Sequence, residues 1–244
     1  MIDIAAINKT YPIQLGEKKS YQALRNVSFQ LSRGKTLGLI GANGAGKSSC
    51  IRIMMGFIKA DSGNVRILKR PPFQASSKEQ IGYLPEQPCF PKNLSCIEIL
   101  RFCGKSSGMT NSKIKESSEY WLKKLNLWNV RHRLLRTYSK GMQQRASFAM
   151  ALIHNPSLLI LDEPMSGLDP IGRADIVRII EQLQEQGKSI LFCSHILDDV
   201  ARLADKIVIL HQGEVLFDDN LESLYMTTSE SVEEAFLRIV GAQA

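Results

Sequence analysis

Eight residues constrain this chain more than any others. Gly41-Ala42-Asn43-Gly44-Ala45-Gly46-Lys47-Ser48 matches the GxxxxGK[ST] pattern with no departure. The run follows a short apolar stretch, residues 36–40, that reads as a buried strand. A helix is expected from Gly46, with Ile51, Met54, Met55 and Ile58 at the i, i+3, i+4, i+7 spacing of one apolar face. A glycine-rich loop in that setting turns successive backbone N–H groups inward, and the helix behind it adds the positive end of its dipole. Lys47 contributes a full charge and Ser48 a hydroxyl suited to Mg²⁺. The predicted ligand is a nucleoside triphosphate held by residues 41–48, with Ser49 next in line.

The pattern around the loop predicts an α/β fold. Strands are expected at 2–8, 24–31, 36–40, 64–68 and 81–84. Residues 95–155 have helical spacing almost throughout, with Trp121, Leu122, Leu125 and Leu127 in one amphipathic stretch. Strand and helix then alternate: a strand at 158–162, a helix with Asp169 as N-cap and Pro170 in its first turn, a strand at 189–194, a helix to 204, and strands at 206–211 and 214–217. This alternation implies a mostly parallel sheet covered by helices, here with an antiparallel β edge subdomain and a helical insertion. A last helix, 231–240, carries the Ser231/Glu234 capping box, with Gly241 expected to stop it.

The apolar run Leu158-Leu159-Ile160-Leu161 ends in Asp162-Glu163. That places two carboxylates at the carboxyl end of a buried strand, where ligands of α/β sheets bind. Asp162 suits the Mg²⁺ shell. Glu163, one residue on, suits the acceptance of a proton from a water attacking the γ-phosphate.

The 244 residues carry 31 Lys+Arg and 24 Asp+Glu, a net charge of +7. The distribution is uneven: residues 101–145 hold 11 basic and 2 acidic side chains, and residues 146–244 hold 6 and 16. A basic balance admits nucleic acid or an anionic membrane surface as partner, as well as ordinary solvated helix faces. No apolar run approaches the length of a membrane span, and the start of the chain has no signal-peptide pattern. The five cysteines are odd in number and lack CxxC spacing, which predicts reduced thiols and no zinc site.

Further motifs stand in a fixed order with these: Tyr138-Ser139-Lys140-Gly141-Met142-Gln143-Gln144-Arg145, then Ser166-Gly167-Leu168-Asp169 and Ser194-His195. Together with the phosphate loop and Asp162-Glu163 they resemble the nucleotide-binding domain of the ATP-binding cassette (ABC) family over nearly the whole chain. The resemblance implies ATP and Mg²⁺ as cofactors. It implies that Ser139 and Gly141, at a helix opening at Gly141, face the γ-phosphate bound in an opposite subunit. Asp169 would lie in the D-loop, His195 would contact the γ-phosphate, and Tyr11 would stack on adenine, although an ordinary strand-end aromatic also fits Tyr11.

This sequence departs from the common pattern in two places. The position of the Q-loop glutamine falls on Glu86, with Gln87 beside it, and Tyr138, Lys140 and Met142 replace the commoner Leu, Gly and Gln. The YSKGM signature, the Gly82-Tyr83-Leu84-Pro85-Glu86 run and Val232-Glu233-Glu234-Ala235-Phe236-Leu237 look like the cassettes of ABC-2-type exporters. The resemblance therefore implies an ATPase that dimerises head to tail, as a homodimer or with a related cassette. Its partners would be separately encoded integral membrane permease subunits at the cytoplasmic face of the cell membrane. The divisions implied are 1–94 and 145–225 as the ATP-binding core, 95–144 as the helical signature subdomain and 226–244 as a C-terminal helix. The other class compatible with the charge is a soluble ABC ATPase acting on nucleic acid or ribosomes. One phosphate loop and no heptad tract weigh against it, and no nucleic-acid partner is expected.

Overall fold

The computed structural model describes residues 1–12, 20–225 and 230–242. In chain order its elements are β1 (Ile2–Pro12), β2 (Ser20–Leu31), β3 (Thr36–Ile40), α1 (Lys47–Met54), β4 (Ser62–Ile67), α2 (Ala75–Lys78), β5 (Ile81–Leu84), α3 (Cys96–Ser106), α4 (Asn111–Lys124), α5 (Lys140–Leu152), β6 (Leu158–Asp162), α6 (Pro170–Glu185), β7 (Ser189–Cys193), α7 (Leu197–Leu203), β8 (Lys206–His211), β9 (Glu214–Asn220) and α8 (Val232–Gly241). They form two compact units, one of residues 1–78 with 189–244 and one of residues 79–188.

In the first unit β3 lies between β7 and β8 and is parallel to both, with Leu37 opposite Leu191 and Leu39 opposite Val208. Every residue of β3 and β7 is buried. This is why residues 36–40 and 189–193 show no polar alternation: a strand covered on both faces has no side to give to water. β9 returns antiparallel along β8. A separate antiparallel sheet has the order β2-β1-β4. Here alternation does appear, since Ile2 and Ile4 are buried while Asp3 and Ala5 face out. β1 runs on to Pro12 and β2 starts at Ser20 because Lys9 to Pro12 pair with Leu24 to Ser20, and β4 starts earlier, at Ser62, which pairs with Asn8.

Helix α1 ends sooner than the periodicity predicts. Met55 is its C-cap, so Ile58 lies beyond the helix and buried Ile53 joins the packed face instead. Helix α8 runs through Gly241 to an Ala242 C-cap, which corrects the expected stop. Gly241 is exposed and its missing side chain faces open space, so nothing there demands a left-handed turn. The capping box of Ser231 and Glu234 is present. The residues 226–229, where a boundary between core and terminal helix was expected, lie outside the described residues.

In the second unit β5 and β6 pair in parallel, Tyr83 opposite Ile160. Between them the chain is helical, as the spacing predicts, and α3, α4 and α5 pack on one another. Each helix start has a chemical cause. Ser95 and Glu98 make a capping box for α3, Thr110 Oγ1 accepts from Lys113 N for α4, and Asp169 caps α6 with Pro170 in its first turn. Ile99, Leu100, Ile114, Leu122 and Phe148 are buried. Burying one such side chain contributes about 1.5–3 kcal/mol. Among the described residues no helix is long and apolar enough to cross a membrane. All five cysteines are free thiols, as their spacing predicts.

Candidate nucleotide site

The phosphate loop occupies the first unit, at the carboxyl end of β3. Gly46, immediately before α1, has φ +114, and a Cβ there would come within 2.8 Å of the Ala23 carbonyl. Only glycine fits this turn. The loop is tied down by its own backbone and by its neighbours: Ala45 N donates to Ala42 O at 3.1 Å, Gly213 N to Ala45 O at 3.0 Å, and Tyr21 Oη to Gly44 O at 2.9 Å. Lys47 is buried, and its Nζ donates to the carbonyls of Gly41 at 2.7 Å and Ala42 at 3.2 Å. The ammonium is thus folded back over the loop by which an anion would be cradled. Ala42, Asn43, Gly44 and Ser48 are exposed, and Ser48 sits in the first turn of α1, where four N–H groups lack helical partners. Below them Cys50 is fully buried. Burial pushes its thiol up to about 12, which makes it a neutral packing residue under the loop.

Tyr11 stands near the end of β1 in the same unit. Its ring is partly exposed, its hydroxyl lies 3.3 Å from Ser49 Oγ, and Lys9 Nζ lies 5.6 Å from the ring centroid. The structure therefore brings Tyr11 to the helix that starts at the phosphate loop. His195 follows β7 and is exposed. Its position is fixed by the turn that comes after it, since Ile196 N donates to the buried Ser194 hydroxyl at 3.0 Å.

The carboxylates occupy the second unit. Asp162 is the last residue of β6 and is buried, and Glu163 follows with φ +50. A left-handed residue with a side chain costs on the order of 1–3 kcal/mol and persists only where neighbours hold it. Here they do: Ser166 N donates to Glu163 O at 3.0 Å, and Gln144 Nε2 donates to Glu163 O at 3.3 Å and to Pro164 O at 3.2 Å. Gln144 is 2 % exposed and belongs to the signature helix α5. Its place inside the run Tyr138 to Arg145 does not by itself announce this role. A buried amide seven residues into such a run is the signal that could have found it.

Helix α5 opens one residue earlier than expected, at Lys140, with Ser139 as N-cap accepting from Met142 N at 3.3 Å. Gly141 sits in the first turn, within 3.4 Å of Gly167 O if a Cβ is added. Lys140 drapes its methylenes over Gly167, which has φ +74. Asp169 is committed locally: Oδ1 accepts Gly172 N at 2.9 Å as the cap of α6. Glu86 and Gln87 are both exposed in the bend after β5, so either could present its side chain.

Among the described residues no three His, Cys, Asp or Glu side chains converge as a metal cage.

A model of the ABC transporter family matches residues 24–166. An uncharacterized ABC transporter ATP-binding protein of Synechocystis is 38 % identical over 91 % of this chain and 63 % of its own length, so the chain spans less than two thirds of that relative. A lantibiotic transport ATP-binding protein of Streptococcus pyogenes is 36 % identical over 90 % of this chain and 93 % of its own. A linearmycin resistance ATP-binding protein of Bacillus subtilis is 35 % identical over 93 % and 78 %. Among solved structures, an ATP-binding subunit of an ABC transporter superposes with a TM-score of 0.89 at 27 % identity, covering 98 % of both chains. A dimeric structure of the bacterial ABC transporter cassette MJ0796 superposes with a TM-score of 0.81 at 25 % identity, covering 91 % of this chain and 99 % of that one. The family model and these relatives show that the chain belongs to the ABC transporter family as an ATP-binding and ATP-hydrolysing cassette.

Proposed function

We propose that this cassette powers export through separately encoded integral membrane permease subunits, working at the cytoplasmic face of the cell membrane. The observation that carries the reading is that one chain holds both a complete phosphate loop and a carboxylate, Glu163, in a strained left-handed conformation at the end of β6. The relatives named for lantibiotic transport and linearmycin resistance support the outward direction. The YSKGM signature points the same way.

In this mechanism residues 41–46 and Ser49 cradle the phosphates with backbone N–H groups and hydroxyl, and Lys47 neutralises them. Tyr11 offers its ring to adenine. Mg²⁺, when bound, would be held by Ser48 and Asp162, with Glu86 in reach of its water shell, and would neutralise charge on the β- and γ-phosphates. Glu163 takes a proton from water as the water oxygen forms its bond to the γ-phosphorus. The bond from that phosphorus to the bridging oxygen breaks, and ADP and phosphate leave. His195 and Lys47 hold the γ-phosphoryl oxygens. Ser139, Gly141 and Asp169 serve the nucleotide of a second cassette in a head-to-tail dimer, so one chain does not complete a site.

On this reading the chain divides by task into 1–94, 95–144, 145–225 and 226–244, with residues 95–144 and Glu86 passing closure to the permease. The test is recovery of the membrane partner from a detergent extract with the tagged cassette, followed by ATP-dependent efflux in reconstituted vesicles. Salt-sensitive nucleic-acid binding with no membrane protein recovered would overturn it.

A further inference from the structure

Outside the nucleotide site, the second unit holds a cavity of about 510 Å³ between α3 and α4. Arg101 and Lys105 reach it from α3, Lys115 from α4, and Arg131 from the turn beyond. Its lining includes no carboxylate. Three acidic side chains lie near it in sequence, all outside the lining: Glu98 accepts from Ser95 N at 2.8 Å and Ser95 Oγ at 2.6 Å, Glu119 pairs with Lys123 at 2.7 Å, and Glu116 is exposed, while Arg101 acts on Glu98 and Lys115 and Arg131 on Glu119 only through longer-range attraction. Arg131 is pre-positioned. Its guanidinium stacks 3.9 Å from the Trp128 ring centroid and donates to Trp128 O at 2.7 Å, which leaves further N–H donors free of that bond.

A second observation marks this as a built site. Ser118 lines the same cavity, is 1 % exposed, and its hydroxyl has no hydrogen-bond partner. A buried hydroxyl without a partner costs about as much as a lost hydrogen bond, and such a group in a folded chain calls for an explanation. Arg101, Lys105 and Lys115 are exposed and Arg131 is half-buried, so the four cations give the hollow a positive field that favours an anion.

We propose that this groove binds a phosphate-bearing ligand, with Arg101, Lys105, Lys115 and Arg131 as its charge partners and Ser118 Oγ as a neutral donor. Arginine forks match phosphate oxygens in pairs, and a donor that cannot accept a proton suits an anion of either charge state. The phosphate could belong to the headgroup of an anionic membrane lipid or to a soluble compound.

The experiment uses the intact cassette with its phosphate loop saturated by ADP. Inorganic pyrophosphate is titrated while the indole N–H resonance of Trp128 is followed, identified by its loss in Trp128→Phe. In parallel the protein is sedimented with phosphatidylcholine vesicles with and without phosphatidic acid. Pyrophosphate shifts or phosphatidic-acid-dependent sedimentation, weakened about ten-fold or more by Arg101→Ala with Lys115→Ala, support the site. The arm that responds names the source. Ser118→Ala should lower affinity several-fold while leaving the melting temperature unchanged or raised. Basal ATPase activity should be unchanged in all three variants. No response to either probe, or a response indifferent to Arg101, Lys115 and Ser118, overturns the proposal.

Discussion

The Gln144 amide donates to the main-chain carbonyls of Glu163 and Pro164, at 3.3 and 3.2 Å, and so ties helix α5 to the left-handed turn at Glu163, the carboxylate proposed as the general base. Both carbonyls turn inward at this point, and a near-isosteric apolar residue would leave them unpaired. We expect Gln144→Leu to lower stability by about 1–3 kcal/mol, the cost of buried acceptors left without a donor. Since Glu163 is then less firmly held in its strained conformation, kcat for ATP hydrolysis should fall about ten-fold or more with little change in nucleotide affinity. Denaturant unfolding and steady-state kinetics on the same preparation check both halves. Loss of affinity without loss of kcat would show that the turn is held by other means.

Removing the proposed base should look different. Glu163→Gln keeps the shape of the side chain and the backbone bonds at its carbonyl but cannot accept a proton. Turnover should drop by roughly 10²- to 10⁴-fold, the range for general-base catalysis, while ATP binding persists. An ATP-bound dimer should then accumulate, visible as a mass shift by light scattering. Near-normal turnover in this variant would remove Glu163 from the role.

Lys47→Ala acts one step earlier. The ammonium is buried and sits on the Gly41 and Ala42 carbonyls, placed to meet phosphate oxygens with a charge-assisted bond. Losing one such bond costs about 1.5–3 kcal/mol, so a fluorescent ATP titration should show affinity reduced by more than ten-fold. Unchanged affinity would contradict the placement.

The parts of the site legible in the sequence are those whose chemistry is local. Residues 36–48 read as strand, turn and helix because an apolar run leads into a loop of three glycines ending in Gly-Lys-Ser, and Asp169 with Pro170 marks a helix start by its own local chemistry. The pairings that fix the site are not local. Tyr21 reaches the Gly44 carbonyl from a strand 23 residues away, Gly213 reaches Ala45 from the hairpin after β8, and Gln144 reaches Glu163 across 19 positions. No spacing rule announces such contacts. Ile58 shows the opposite failure, a periodic residue that a helix ending at Met54 never reaches.

Acid sensitivity should have an identifiable first step in the second unit. His154 is largely buried with Nε2 3.1 Å from the Ile81 carbonyl, and burial holds its pKa below the ordinary 6.5. The unfolded chain therefore binds a proton more readily than the folded one. The stability tied to neutral His154 is complete above pH 6.5 and is lost as pH falls from 6.5 toward the lower folded value. Glu98, Glu119 and Glu234 also have lowered values, through hydrogen bonds from Ser95, Lys123 and Ser231, but they begin to act only near their ordinary 4.5. As pH falls between those limits, the melting temperature should drop in the native chain and change less in His154→Gln. Parallel slopes would assign the acid step to another group.

The tightest steric demand at the site is the turn into α1. Gly46 has φ +114, and a Cβ would meet Leu24 Cδ2 at 2.7 Å and the Ala23 carbonyl at 2.8 Å. The leucine tip can move, but the carbonyl belongs to β2, so the loop rather than the strand must give way. Gly46→Ala should cost about 1–3 kcal/mol for the left-handed conformation alone, and the clash adds to it. The relaxed loop would misdirect the N–H groups that begin α1. Affinity for ATP should therefore fall along with stability, in contrast to Gly44→Ala, where φ is also positive but a Cβ meets nothing within 4 Å. Melting curves and nucleotide titrations of the two variants separate strain from collision: similar losses in both would mean that backbone conformation, not the approach of Ala23, makes position 46 glycine.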